Sequence, residues 1–272
     1  MINIDGQTLT IEQIYLVSEK HEKVSVSIEA KNKIFSSRNS LNSIVESGAN
    51  IYGVNTGFGS LLNVKIPFEK IEDLQKNLIR SHSAGFGESL SEKHVRAIML
   101  VRANSLCKGY SGVSLELIEK IVEFLNKDVY PYVPRYGSVG ASGDLAPLAH
   151  IGLSMMGEGF VLSENARVPT SDILQRKNIL PYNFKAKESI SFINGTSTIT
   201  GILSVEVYLS IELLRSSLGS ASLSFESLCG TRNAFRDWTI GARAHRGQID
   251  VARNMNMMLH DSIICQNSEK TK

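Results

Sequence analysis

Apolar positions recur with helical spacing along most of the chain beyond Pro67. Ile71, Leu74 and Leu78 keep an i, i+3, i+7 rhythm. Val95, Ile98, Met99 and Leu106 fit one face of a second helix, and Leu115, Ile118, Val122 and Leu125 fit one face of a third. Pro131, Pro134 and Gly137 break the pattern. Asp144 is an N-cap residue type, and Pro147 falls within the first turn that would follow it, so a helix is predicted to begin there. A short β-pair is predicted over 160–168 and a helix from Thr170. From Asn194 the rhythm predicts one helix as far as Leu228, weakened locally by Gly201 and Gly219. A last helix is predicted over 248–260, and the polar tail 266–272 reads as frayed.

The opening residues are patterned differently. Ile2 to Thr10 alternates around Asp5-Gly6 and predicts a small hairpin. Thr10 and Gln13 have capping-box spacing, so a helix should follow, with a second over 27–47 ending at Gly48. Gly53, Gly57 and Gly59 mark 53–59 as a loop. The expected architecture is mainly α: a long-helix bundle with a smaller mixed α/β N-terminal lobe. The lobe spans 1–110, the helical core 111–265 and the polar tail 266–272.

Composition narrows the function classes. Over 272 residues, 42% are hydrophobic and 21% charged, which excludes a disordered tail, a collagen and a disulfide scaffold. With 29 basic against 27 acidic residues, the charge gives no pull toward nucleic acid or a membrane surface. The uncharged stretch 189–205 is rich in Ser, Thr, Asn and Gly and reads as a poor membrane span. Cys107, Cys229 and Cys265 match no metal-site spacing, and the N-terminus lacks the pattern of a secretory signal. A cytoplasmic protein with free thiols is expected.

The densest chemical punctuation is Tyr136-Gly137-Ser138-Val139-Gly140-Ala141-Ser142-Gly143-Asp144. A phosphate-binding P-loop needs Lys-Ser/Thr after the last glycine, and Asp stands there instead. A dinucleotide fingerprint needs Gly-x-Gly-x-x-Gly in a strand–turn–helix unit, and the spacing here differs. A nucleophile elbow needs Gly-x-Ser-x-Gly, but Gly143 follows Ser142 directly. Two readings remain open on this stretch alone. One is a tight turn feeding a capped helix. The other is a backbone-built electrophile, a group that the standard side chains lack. In that route the Gly143 nitrogen attacks the Ala141 carbonyl, and Ser142 loses its hydroxyl to leave an exocyclic methylene. The N-terminus of the following helix would then stabilise negative charge arriving at the ring.

The run from Gly137 through Ala141-Ser142-Gly143-Asp144-Leu145-Ala146-Pro147 to His150 resembles the signature of the aromatic amino acid lyase family. Its members are histidine, phenylalanine and tyrosine ammonia-lyases and related aminomutases, which carry 4-methylideneimidazol-5-one (MIO). Tyr52-Gly53-Val54-Asn55-Thr56-Gly57 is similar to the family's tyrosine loop, and Asn77 to Gly85 to its selectivity segment. Ile193-Asn194-Gly195-Thr196 and Arg243-x-His245-x-Gly247-Gln248 resemble two later elements.

The resemblance implies an ammonia-lyase that converts an aromatic amino acid, histidine to urocanate in the first instance, on an MIO formed from Ala141-Ser142-Gly143. It implies no metal and no nucleotide. Tyr52 would remove the β-proton, although an ordinary phenol, with a pKa of ~10, must be tuned or act in a concerted step. The Asn194 carboxamide would hold the substrate carboxylate or the MIO carbonyl, or Asn194 serves as a helix N-cap. Ser81-His82 would read the substrate side chain in the manner of histidine ammonia-lyases, a pair that some tyrosine aminomutases share. Leu145 would line the same pocket. Phe192 would be a further substrate-binding residue of that pocket, standing where a smaller aliphatic residue is expected. His21, His94, His150, His245 and His260 receive no catalytic role, and Arg246 replaces a residue that is often proline.

The family normally supplies, beyond the 243–248 block, a Tyr-Ser-x-Arg segment whose arginine binds the substrate carboxylate. The expectation is therefore a homo-oligomer, or a complementary chain carrying the C-terminal half, with little activity from these 272 residues alone. A tyrosine-type aminomutase and a truncated non-catalytic remnant or interaction module are the alternatives.

Overall fold

The computed structural model describes residues 1–47, 54, 70–140, 143–164, 166–243 and 245–270, the last four without their side chains. Tyr52, Ala141, Ser142 and, apart from Val54, the loop expected at 53–59 lie outside the described residues. The fold is mainly helical, and the chain divides into two compact units, Met1–Glu206 and Val207–Lys272.

The first unit begins with β1 (Ile2–Ile4), α1 (Ile11–Glu19), β2 (Val24–Val26) and α2 (Ile28–Glu46). No hairpin forms at the start. The Asp5 carboxylate accepts the amides of Gln7 and Thr8 at 2.7 and 2.8 Å and the Thr8 hydroxyl at 2.8 Å. These bonds also hold its pKa down at about 2. They consume the donors that a return strand would need. β1 pairs in parallel with β2 instead, Ile2 opposite Val24. The capping box forms as predicted, with Thr10 Oγ1 accepting from Gln13 N and Gln13 Oε1 accepting from Thr10 N. Ser27 caps α2 through the Ala30 amide.

Next come α3 (Ile71–His82), β3 (Phe86–Ser89), α4 (Glu92–Leu106), α5 (Leu115–Asn126), β4 (Tyr130–Pro131) and β5 (Pro134–Tyr136). Their periodic apolar residues are buried: Val95, Ile98, Met99, Leu106, Ile118 and Leu125 are core. Then follow α6 (Leu145–Met155), β6 (Phe160–Ser163), β7 (Ala166–Pro169), α7 (Thr170–Arg176), α8 (Glu188–Ile193) and the start of α9 (Ser197–Ser227). β3 pairs antiparallel with β5, and β4, β6 and β7 form an antiparallel sheet. The β3–β5 pair joins residues on both sides of the boundary expected near 110, which therefore falls inside the first unit. Gly201 does not interrupt α9. A Cβ there would lie 2.8 Å from the Ile98 amide nitrogen, so the missing side chain lets α9 cross α4 closely.

The second unit holds the remainder of α9, a 3-10 turn at Arg232–Phe235, α10 (Asp237–Gly241), α11 (Arg246–Met258) and α12 (Ile263–Lys270). Met255, Leu259 and Cys265 form its small core, with Leu218, Phe225, Phe235 and Val251 against them. Arg246 is the first residue of α11, a position that leaves its N–H outside the helical ladder and so suits arginine and proline alike. The tail is helical at 263–270 rather than frayed throughout. The segment Glu188–Ser227 is long and apolar enough to cross a membrane by length and composition alone. The shorter 189–205 window misses this because Ile211, Leu213 and Leu214 lie beyond it.

α4 carries a buried arginine that periodicity does not announce. Arg96, 1% exposed, donates from Nε to the Val17 carbonyl and from Nη1 to the Leu125 carbonyl and Asp128, at 2.9–3.0 Å. It ties the ends of α1 and α5 to α4. Burial lowers its pKa. Arg96→Met strands the Val17 carbonyl and takes one donor from the Leu125 carbonyl, so urea denaturation should show a loss of about 2–4 kcal/mol.

Candidate active site

Three mutually packed helices position the candidate residues. α3 ends at His82, α6 starts after Gly143-Asp144, and α8 ends at Ile193 with Asn194 as its C-cap. Glu188 sets the start of α8. Its carboxylate is wholly buried and accepts from Ser114 N, Lys185 N and Tyr182 Oη at 2.7–2.9 Å. That burial and the adjacent carboxylate push the Tyr182 phenol far up. Gln75 of α3 holds the next residue, accepting the Ser189 amide at 3.1 Å and the Ser189 hydroxyl at 2.9 Å.

Asp144 does not cap the helix it precedes. It occupies the N-cap position of α6 without a side-chain bond to α6. Its wholly buried carboxylate reaches instead to the first turn of α9, where Oδ2 accepts the Thr198 and Ile199 amides, each at 3.0 Å. Oδ1 accepts the Ser138 hydroxyl at 2.9 Å. The Asp144 amide donates to the Gly195 carbonyl at 2.7 Å. One residue thus fastens the glycine-rich segment to the Asn194-Gly195 turn by main chain and side chain together. Gly143 sits at φ +125°, and a Cβ there would come within 2.6 Å of the Gly195 nitrogen. Only glycine fits at this point.

Asn194 closes α8, its amide donating to the Ile190 carbonyl, and does not cap α9 as an N-cap residue would. Its side chain is exposed and lines a cavity of about 610 Å³ with Arg102, Tyr110, Ser111, Lys187 and Thr200. Arg102 is the residue that sequence reasoning missed. Its signal was a cation three and four positions beyond Met99 and Ile98, on the core face of α4. It is 5% exposed and donates from Nη2 to the Ser191 and Asn194 carbonyls. Burial brings its pKa down to about 10, so it stays charged at neutral pH. Lys187 donates to the Ser111 carbonyl at 2.7 Å.

His82 is half-buried, with Nδ1 2.9 Å from the Leu78 carbonyl. A carbonyl only accepts, so Nδ1 carries a proton, and in the neutral ring Nε2 is then the acceptor. Leu145 is half-buried at the first turn of α6. Phe192 corrects the expectation: it is 1% exposed, with its ring 5.7 Å from Phe184, and belongs to the core rather than to a pocket wall. The structure therefore brings Gly143 and Asp144 onto the Asn194-Gly195 turn and leaves Phe192 out. Among the described residues no three His, Cys, Asp or Glu side chains converge as a metal site would. His21, His94 and His260 each pair with a carboxylate, of Asp128, Glu206 and Asp261 respectively.

His150 has a structural task. Its Nε2 accepts the Gly85 amide at 3.1 Å, tying the end of the selectivity segment to α6.

A family model described as aromatic amino acid lyase matches residues 9–272. The chain is 48% identical over 272 residues to a probable histidine ammonia-lyase of Thermoplasma acidophilum, covering all of this chain and 55% of that protein. Among solved structures, a tyrosine aminomutase from Streptomyces globisporus superposes with a TM-score of 0.88 at 37% identity, over 94% of this chain and 48% of that one. A histidine ammonia-lyase from Trypanosoma cruzi superposes with a TM-score of 0.88 at 34% identity, over 98% and 53%. The chain spans about half the length of the relatives it matches.

Two outcomes follow from these bonds. Asp144→Ala leaves two α9 amides and a serine hydroxyl without their acceptor, and urea denaturation should show a loss of about 2–4 kcal/mol. The second concerns His150, whose pKa is held below its ordinary 6.5 by burial and then by Arg167. A depressed histidine contributes stability that is present above about pH 6.5 and is lost as pH falls through the folded-state value. Melting temperature should fall between pH 7.5 and 5 more steeply in the wild type than in His150→Gln; parallel curves would exclude this role.

Proposed function

The chain belongs to the aromatic amino acid lyase family, and on that premise we propose that it is the MIO-bearing half of an ammonia-lyase acting on histidine to give urocanate and ammonia. The observation that carries the reading is the clamp at Gly143. The ring chemistry asks for a residue without a side chain in the third position of Ala141-Ser142-Gly143. The backbone at Gly143, pressed on Gly195, admits no other. The residues present therefore fit the group.

MIO, once formed, supplies an electrophile that takes up the substrate's electrons at the start of the elimination. The chain's own residues supply the rest. The first turn of α6 directs its amides toward the Gly143 end, a partial positive charge where negative charge would collect. Asn194, exposed at the turn, offers carboxamide donors to a substrate carboxylate. His82, with Nδ1 engaged at Leu78, offers Nε2 as an acceptor to an imidazole N–H. Tyr52 is the base for the β-proton and Leu145 a wall of the pocket, both assigned by family resemblance. The 48% identity to a probable histidine ammonia-lyase supports histidine over other aromatic amino acids. The cytoplasm is the proposed location, a compartment in which thiols such as Cys107, Cys229 and Cys265 stay reduced. Turnover needs the part of the family's length that lies outside these residues, and the assembled enzyme is an oligomer.

The test begins with intact mass, where ring formation removes two waters, roughly 36 Da. The wild-type chain should show that loss and Ser142→Ala should not. The chain is then assayed with histidine and with tyrosine, alone and with the C-terminal half of the Thermoplasma acidophilum relative. Urocanate should form only in the mixture with histidine. A β-amino acid from tyrosine would assign an aminomutase instead. Full mass in the wild type would overturn the MIO reading.

A further inference from the structure

The Asn194-Gly195 turn is held from two sides. On one side the Gly195 carbonyl accepts the Asp144 amide, and Gly195 presses on Gly143. On the other stands Arg102, whose guanidinium bonds the carbonyls of Ser191 and Asn194 and would collide with any Cβ on Gly195. A cavity of about 610 Å³ is lined by Arg102 and by residues of the turn itself. The guanidinium is thus the charged group that meets the turn on the face away from Gly143.

We propose that Arg102 is a positioning residue for ring closure at Ala141-Ser142-Gly143, bracing the Asn194-Gly195 turn so that Gly195 holds the Gly143 peptide against its reaction partner. The inference rests on the MIO reading and deepens it. A buried guanidinium is costly unless it is paired. Arg102 meets no carboxylate among the described residues, and its Nε has no partner there. Its bonds go to two carbonyls of the segment that leads into the turn. The same α4 carries Arg96, equally buried, whose bonds go to α1, to the end of α5 and to Asp128. Two arginines on one helix therefore have separable tasks, one in the core of the fold and one at the reacting segment.

The chemistry being braced is a condensation that requires no oxidant. The Gly143 nitrogen adds to the Ala141 carbonyl carbon, and its proton passes to that oxygen. The resulting hydroxyl leaves with the Ser142 amide proton as the first water, forming a C=N bond. Ser142 then loses its Cα proton and its hydroxyl as the second water, forming the exocyclic C=C bond. Arg102 takes no part in either bond change. It limits how far the Gly143 peptide can withdraw.

Intact mass followed over time reads this directly, without any substrate. The wild-type chain should lose roughly 36 Da. Arg102→Met, folded by its cooperative melt, should lose it at least tenfold more slowly, and Arg102→Lys, which keeps charge and donors, should fall between. Arg96→Met is the control: destabilised through the same helix, it should cyclise at the wild-type rate. Equal rates for Arg102→Met and wild type overturn the proposal, and so does an Arg96→Met slowed as much as Arg102→Met. Should Arg102→Met fail to melt cooperatively, Gly195→Ala takes its place. Its methyl group displaces the same contact from the other side and should slow the loss tenfold, whereas a wild-type rate overturns the proposal. A wild type that keeps its full mass removes the MIO reading and this inference with it. A wild type that loses mass beside an equally fast Arg102→Met removes the bracing alone.

Discussion

A single buried carboxylate organises the region around which the remaining elements are arranged. Asp144 stands at the start of one helix and spends its charge on the start of another, accepting two amides of α9 while its own amide holds Gly195. A helix N-terminus carries unsatisfied donors and a partial positive charge, so a carboxylate there is stabilising. Because that carboxylate belongs to the chain segment just past Gly143, capping α9 and locating Gly143 are one event. The positive φ at Gly143 and its close approach to Gly195 follow from this fastening.

The same device recurs around the site. Glu188, Arg96 and Arg102 are buried charges that bond chiefly to main-chain groups. Peptide groups offer fixed dipoles and do not rotate away, so each such bond fixes a stretch of backbone rather than a pair of flexible side chains. Glu188 fixes where α8 begins, and Arg102 fixes where it ends. Between them lies only the short helix that delivers Asn194. The result is a turn whose position is set by ionic groups on both flanks and which lines a cavity.

What was legible in the chain was whatever obeys local rules. The apolar rhythm at Ile71, Leu74 and Leu78, at Val95, Ile98 and Met99, and at Leu115 and Ile118 marks real helices, because burying one face requires that spacing. The capping box at Thr10 and the N-cap at Ser27 are local and were readable for the same reason. Asp5-Gly6 misled because a side chain that bonds its own neighbours competes with a strand partner. Asp144 misled because capping preference says that an acid sits at a helix start, not which helix it serves. Phe192 was placed by analogy with a pocket wall, whereas its direction is set by packing on Phe184. The blocks around Tyr52, Ser142 and Asn194 identified the chemistry, but the arginine behind Asn194 is joined to it only by the fold.

The separation of Asp144 from its acceptor amides has a further consequence, in the order of synthesis. Asp144 and the Thr198 and Ile199 amides are 54 and 55 residues apart in the chain. At roughly 5–20 residues per second, a ribosome needs about 3–11 s to add that stretch. During that interval Gly143 and Asp144 exist without the turn they will meet. A premature stop before residue 199 would release a chain that has its upstream helices and its reactive sequence but never acquires the amides that Asp144 caps.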